Sequence, residues 1–488
     1  MDDFIDIKRI TLLFGKNGTG KSSFIKAIKF LGQNLFPAQS GQTIYNLDHN
    51  IDLGDFKQIV FQNKVQDKIN IDFEEYWESY TESDSERKSN IVNYRLNTLI
   101  EDNEEGKNFR SIKITDLNSG LEFEIFPREK NEYDESFIID FANREVSKEE
   151  SKLSIERLFD GALVGYSGYP DNSIEINRNL KVIKSELEKF IKYLDVLPFF
   201  NTKEDFRFSY YNQLTEYLGY DVEQRKAIED FVNHFVKDIP TLAKKFFNHW
   251  YVSPVRKKPK SKSELISNKF NFKEYFGIPS QVDFRNQRYN KYYPGNGMND
   301  ILQFINKSLS DLGLGKEFIL TKSNGFGSVL IKDLQGVDHN LAESSSGLIQ
   351  IIPIIVASYN ALYEYSDFVT MFDKDDSTDV IIIEQPELHL HPSLQTKLVE
   401  FIKEGMGTYI IETHSEHIIR KIQVLIAQGK LSKEKVAVYY FDKDEKTGIT
   451  SIKEMEMEDN GFFKEPWPDG FFDDSYNLAR ELIYARKN

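Results

Sequence analysis

The sequence predicts an α/β fold built on a parallel sheet, and three stretches predict it. "RITLLF" (residues 9–14), "DVIII" (residues 379–383) and the front of "GTYIIETHSEH" (Gly407 to His417) are short, apolar and β-prone, and each runs straight into polar residues. Apolar runs without alternation are how strands read when both faces of a parallel sheet are covered. Ligands of open α/β sheets collect at the carboxyl ends of the strands. The residues just past each run are therefore where chemistry is expected.

Bulk properties set the frame. A chain of 488 residues is too long for one ordinary domain, so two or three lobes are expected. At 40% hydrophobic and 29% charged it is globular rather than disordered. A net charge of −16 argues against nucleic acid coating the chain along its length. There is no cysteine, which excludes disulfides and thiolate metal sites. No apolar run reaches the ~18–20 residues that span a bilayer. The acidic start "MDDFIDIKR" lacks the basic region of a signal peptide. A soluble cytoplasmic protein without membrane contact is expected.

The first strand leads into "GKNGTGKS" (Gly15 to Ser22), which fits G-x-x-x-x-G-K-[ST]. Glycines Gly15, Gly18 and Gly20 let such a loop, with Asn17 at its crown, turn N–H groups onto phosphate oxygens. The helix that follows, with Phe24, Ile25, Ile28 and Leu31 at helical spacing, adds partial positive charge at its first residues, Ser22 and Ser23. Lys21 is placed to reach β- and γ-phosphates, and Ser22 to hold Mg²⁺. The ligand this implies is ATP with Mg²⁺.

The middle of the chain is less informative. Residues 43–75 read as β-rich, and "KINIDFE" alternates. "FQN" ends a short apolar run and offers Gln62 as an amide for the nucleotide site, with Gln58 as the other candidate. "SIKITDLNSGLEFEIF" reads as a hairpin around Asn118-Ser119-Gly120. Residues 179–195 and 222–248 have helical spacing, without sustained heptads, so a compact helical lid, a dimer arm or packing within the domain is expected rather than a long coiled coil. "RKKPKSK" (Arg256 to Lys262) and "RNQRYNKYY" (Arg285 to Tyr293) are candidates for phosphate contact and base stacking, which makes DNA a candidate partner; solvated loops are the plainer reading.

In the last third, Ser344 to Gly347 provide capping and close backbone approach at the start of an apolar helix, with Ser345 and Gly347 the candidate contacts and Pro353 a source of a kink. Val380 to Ile383 form a Walker B strand ending in Glu384, a carboxylate suited to Mg²⁺. Next comes Gln385, where a glutamate that activates water is usual. An amide orients water but takes no proton from it. Slow hydrolysis, Glu387 or His414 in its place, or a partner's help all remain open. His414, past the third strand, is placed to contact a γ-phosphate. "YFDKDEKTG" reads as a strand end and turn, so its acids Asp442, Asp444 and Glu445 are assigned no catalytic role.

Together these segments resemble the ABC-type ATPase heads of the SMC, RecF-like and OLD-nuclease group. "IIIEQPELHLHP", "IIETHSEHIIRKI" and "SSGLIQIIPII" look most like bacterial OLD-like AAA-family ATPases of anti-phage defence, "YVSPVRKKP" resembles a short motif of the same proteins, and "EPWPDGFFDD" resembles a tail on some of them. The resemblance hardly touches residues from about 76 to 245. Two departures stand out: only about fourteen residues precede the loop, and the usual L-S-G-G-Q signature is reduced to Ser345-Ser346-Gly347.

The resemblance implies an ABC-type P-loop NTPase head with a β-rich antiparallel lobe and a helical insertion. Residues 1–75 would form the first half of the head and 76–250 the hairpin and insertion. Residues 251–430 would form the second half, and 431–488 a tail with an aromatic docking element; folding of those aromatics back onto the head is the alternative. In such heads one protomer's signature caps the other's nucleotide, which implies a homodimer or higher homo-oligomer. Only some seventy residues follow His414, too few for the TOPRIM nuclease domain of OLD nucleases. A separate effector, nuclease or toxin, encoded next door is thus expected. A RecF-like DNA repair ATPase and an ATP-dependent scaffold with very slow turnover are the rival readings.

Overall fold

The structure is a computed structural model. It describes residues 5–35, 69–83, 86–100, 109–116, 122–127, 137–141, 249–254, 256, 259–265, 269–271, 281–283, 298–363, 380–405, 407–468 and 473–485. The chain divides into two compact units, one of residues 1–25 with 248–488 and one of residues 26–247.

The first unit is organised by a six-stranded sheet in the order β17-β16-β1-β15-β14-β7. Its strands are β1 (Ile10–Gly15), β7 (His249–Val252), β14 (Val380–Glu384), β15 (Thr408–Glu412), β16 (Val436–Lys443) and β17 (Thr450–Glu454). All neighbours are parallel except β16 and β17, which form an antiparallel edge. Every residue of β1 and β14 is buried, which is why these strands are apolar without alternation.

Helix α1 (Lys21–Leu35) leaves β1 through the phosphate loop. Helix α2 (Met298–Leu312) lies against β11 (Glu317–Ser323), which pairs with β12 (Phe326–Lys332) in a small sheet completed by β13 (Asp338–Asn340) and β8 (Ser263–Glu264). Helix α3 (Ser346–Tyr363) packs on β7 and β14. From Leu348 to Ala361 it is buried, its polar Gln350, Ser358 and Asn360 included, as expected of a helix that is apolar nearly all round. Pro353 lies inside it. Helices α4 (Pro392–Glu404) and α5 (Glu416–Ala427) follow β14 and β15 and pack on each other. Helix α6 (Asp473–Ala485) comes last. A further two-stranded ribbon joins β9 (Lys269–Asn271) and β10 (Gln281–Asp283).

The second unit contains a five-stranded antiparallel meander, β2 (Ile69–Ser83), β3 (Glu86–Ile100), β4 (Phe109–Asp116), β5 (Glu122–Pro127) and β6 (Phe137–Phe141), paired in chain order. The hairpin expected in residues 111–126 is the β4–β5 pair, with Ile114 opposite Phe123. The expected helical segments at 179–195 and 222–248, the candidates Gln58 and Gln62, and the basic-aromatic run at 285–293 lie outside the described residues.

The C-terminal segment requires a correction. It was expected as a tail, yet residues 436–454 are two strands of the nucleotide-site sheet, and β16 is the direct partner of β1 from Ile10↔Val436 to Gly15↔Phe441. Two of its aromatic residues, Phe463 and Trp467, fold back onto the head, whereas Phe462 is exposed. The Trp467 ring packs edge-on to Phe463 at 4.7 Å and to Phe14 of β1 at 5.9 Å, with the Arg420 guanidinium 5.2 Å over its face. Burying an indole recovers more than its exposure in a docking loop would.

Candidate functional site

β14 and β15 end at the same level, and β1 runs two residues further. Register sets Leu13 opposite Glu412, and Glu412 opposite Glu384. Neighbouring strands lie only ~4.8 Å apart, so the residues that leave β1, β15 and β14 converge on one edge of the sheet.

The phosphate loop is shaped by sterics. Gly15, Gly18 and Gly20 have φ of 142°, 74° and 101°, in or beyond the left-handed region. A Cβ at Gly15 would lie 2.2 Å from the Phe441 carbonyl oxygen, so β16 itself demands glycine there. A Cβ at Gly20 would meet Thr450 Oγ1 at 3.3 Å, and that hydroxyl donates to the Thr19 carbonyl at 2.9 Å. The β16–β17 edge therefore backs the loop. Asn17, Gly18 and Ser23 are exposed. Lys21 is buried; its Nζ donates to the carbonyls of Gly15 (2.9 Å) and Lys16 (2.7 Å). Burial pulls its pKa down, and the Glu412 carboxylate works against that pull.

Two carboxylates face the loop. Glu384 Oε1 accepts a 2.6 Å hydrogen bond from the Tyr251 hydroxyl. The Ser22 hydroxyl lies 3.0 Å from Oε2 and 3.2 Å from Oε1 of Glu412. Burial first, and then the Glu384 charge beside it, push the Glu412 carboxyl up to about 7. Burial and the bond to Glu384 raise the Tyr251 hydroxyl, which stays a donor. Two carboxylates pressed together beside a serine hydroxyl and a buried lysine form an oxygen donor set that suits Mg²⁺, an ion that takes one or two carboxylates and leaves its other positions to water and phosphate. Among the described residues no group of three or more His, Cys, Asp or Glu could cage a metal.

The turn after Glu384 is held in an unusual shape. Gln385 has φ of 46° and His389 of 61°, both left-handed and neither glycine. Such conformations cost about 1 kcal/mol or more and persist where the surroundings enforce them. Here the Gln385 N–H donates to the Glu412 carbonyl (2.8 Å), and the Gln385 carbonyl accepts from Arg256 (3.2 Å) and from the Leu388 N–H (3.3 Å). Arg256 also donates to the carbonyls of Glu384 and Pro254 and is itself buried. Burial draws its pKa down to about 10. This corrects the reading of "RKKPKSK" as one solvated or nucleic-acid-binding run. Its first residue clamps the backbone at the site, and among the run's other described residues Lys260 and Lys262 are exposed.

Glu387 is committed as well. One carboxylate oxygen accepts from the Thr413 hydroxyl (2.8 Å), the other from the His414 N–H (2.7 Å). Burial raises its pKa and these bonds oppose the rise. Its geometry ties the β14 turn to the β15 turn. A second tie runs from the Ser415 hydroxyl to Gln395 (2.5 Å), whose amide donates to the Leu390 carbonyl (2.9 Å). His414 is half-buried and close enough to Lys21 for that charge to lower its pKa, after burial, the larger cause. Both causes disfavour the charged imidazolium.

At the start of α3, the Ser345 hydroxyl accepts from the Leu348 N–H at 3.4 Å, a serine N-cap. Ser345 and Ser346 are exposed, and Gly347 lies against the β14 turn, 3.4 Å from the His389 carbonyl as measured from a built Cβ.

Motif reading thus located Gly15 to Ser23, Glu384, Gln385 and His414 at one sheet edge. It missed Glu412, Tyr251, Arg256 and Thr450. The signal for Glu412 was present: it ends an apolar strand just as Glu384 does.

A parallel sheet in which β15 separates the loop strand from the acid-bearing strand, with a phosphate loop at its carboxyl edge, defines a P-loop ATPase domain. The chain belongs to the AAA_15 family, described as an AAA ATPase domain, which matches residues 2–419. Residues 431–482 match a second family, a protein of unknown function (DUF3696). No curated protein matches. Among solved structures the chain is similar to SMC head domains. One, from Pyrococcus furiosus, has an extended coiled coil and is bound to the C-terminal domain of ScpA (11% identity, 98% of this chain and 94% of that chain, TM-score 0.33). Another is from Thermotoga maritima (10%, 93% and 93%, 0.30). At scores this low the likeness adds nothing to what strand order and site already say. No described helix is long and apolar enough to cross a membrane.

Proposed function

We propose that this chain binds and hydrolyses Mg·ATP, closes on a second copy of itself when it does so, and thereby controls a separate effector in bacterial anti-phage defence. The observation that carries the ATPase reading is the convergence of the loop lysine and serine, Glu384 and His414 on one sheet edge. Bound Mg²⁺ would supply charge neutralisation at the β- and γ-phosphates. Lys21 would exchange its loop carbonyls for phosphate oxygens. Ser22 and Glu384 would hold the metal. Gln385 would orient water through its amide, and His414 would donate to or accept from the γ-phosphate side.

Assembly and defence rest on other supports. The exposed Ser345 and Ser346 at the N-terminus of α3 suit a signature that meets a partner's nucleotide. The defence role is supported by the resemblance of "IIIEQPELHLHP" and "SSGLIQIIPII" to OLD-like ATPases. An effector in trans fits the use of residues 436–454 as ATPase strands. We place the protein in the cytoplasm, where ATP is available.

Steady-state phosphate release tests this reading. Wild type should turn over ATP in Mg²⁺, slowly, and Glu384→Ala should lose turnover while still binding nucleotide. Undiminished turnover in Glu384→Ala would place the metal elsewhere. Plasmid and single-stranded DNA should stay intact with this chain alone. Cleavage that a point substitution in this chain removes would overturn the effector in trans.

A further inference from the structure

We propose that Glu412, the last residue of β15, is the positioning residue for the Ser22 hydroxyl, and so for the cation that Ser22 holds. This deepens the Mg·ATP reading of the site and rests on it.

The pattern of the sequence gives that task to Glu384, because Glu384 ends the Walker B strand. The hydrogen bonds divide the work otherwise. Glu384 is engaged by Tyr251 of the neighbouring strand β7, where Tyr251 lies opposite Ile382. Both oxygens of Glu412 lie within 3.2 Å of Ser22 Oγ. A serine hydroxyl has one proton and two lone pairs. With the proton given to Glu412, the lone pairs turn away from the carboxylate, and a cation can take one of them. Without such an acceptor the hydroxyl rotor is free to point its proton at the cation.

The position of Glu412 gives this contact a consequence. Its backbone carbonyl accepts the Gln385 N–H, so the same residue touches the loop serine with its side chain and the strained β14 turn with its main chain. Thr413 and His414 follow it directly, both held by Glu387. Whatever moves Ser22 when the cation arrives is thereby felt at the switch histidine within two residues. Glu412 acts through Ser22, and it is not itself assigned to touch nucleotide.

The test is a double-mutant cycle on metal affinity. Mn²⁺ binding to the ATP-bound full-length chain is measured by electron paramagnetic resonance for wild type, Ser22→Ala, Glu412→Ala and the double variant. Outer-shell partners of a metal ligand are worth about 10–100-fold in affinity, so Glu412→Ala should weaken Mn²⁺ by about tenfold or more. The double variant should be no more than about twofold weaker than Ser22→Ala, because both changes remove one interaction. Glu412→Gln keeps an acceptor oxygen and should lose less than Glu412→Ala. If circular dichroism shows Glu412→Ala unfolded, the Gln variant takes its place in the cycle, with the same non-additivity expected. Losses that multiply, or an unchanged Mn²⁺ affinity in the Glu412 variants, would overturn the assignment while leaving the Mg·ATP site intact. A wild type that binds neither ATP nor Mn²⁺ would overturn the site reading itself.

Discussion

Gln385 is the residue on which the chemistry turns. Its side chain can orient water but has no lone pair basic enough to take a proton. Its main chain is fixed by Glu412, Arg256 and Leu388 in a left-handed conformation. The position is thus built with care and filled with an amide. Gln385→Glu should raise turnover, measured as phosphate release at saturating ATP, since the same backbone would then present a carboxylate. A folded variant with equal or lower turnover would show that another group already accepts the proton. At this scale pH is a second probe. In metal-free protein the Glu412 carboxyl sits at about 7, above its ordinary 4.5, so the native state keeps a proton that the unfolded chain has released. The contribution is complete below about pH 4.5 and is lost as pH rises to about 7. Denaturant midpoints measured in EDTA across that window should fall with pH in wild type and stay flatter in Glu412→Gln. Parallel curves would contradict the assigned cause.

At the scale of elements, the site is a set of turns held by the strands behind them. The phosphate loop rests on β16 and β17 through Gly15, Gly20 and Thr450. Thr450→Val leaves the Thr19 carbonyl without that hydroxyl, at a cost of about 1 kcal/mol. ATP should then bind several-fold more weakly, read by titration, with little change in overall fold; wild-type affinity would show that the loop needs no support from this edge. What the sequence disclosed follows the same division. The loop, Glu384 and His414 were legible because each lies beside its own strand, and buried parallel strands announce themselves as apolar runs. Glu412, Tyr251 and Arg256 were not, because their meaning comes from register between strands that are far apart in the chain. For Trp467, among acids and prolines, docking and folding back onto the head read alike, since nothing local reveals that Phe14 and Arg420 pack against it. The long β2–β3 hairpin was seen only in its first residues, where "KINIDFE" alternates; beyond them charge and aromatic residues mix without a clean period.

At the scale of the whole molecule, an exposed apolar cluster stands out among the described residues. On α6, Leu478 and Leu482, one turn apart, are 64% and 71% exposed, with Ile483 and Tyr484 beside them also exposed. Exposed apolar clusters of this kind mark contact surfaces more often than ordinary surface. If α6 serves assembly, Leu482→Asp should lower the ATP-dependent self-association seen by sedimentation velocity and spare ATP binding; unchanged sedimentation would move the contact elsewhere. Every such claim presupposes that the sheet edge holds Mg·ATP. An equilibrium titration of wild type and Lys21→Ala with ATP in Mg²⁺ tests that most directly. Removing a buried ammonium from charge-assisted contacts costs roughly 1.5–3 kcal/mol, or about 10–100-fold in affinity. The account predicts saturable binding by wild type and a loss of that size in a folded Lys21→Ala. Equal affinity in the two proteins would contradict it.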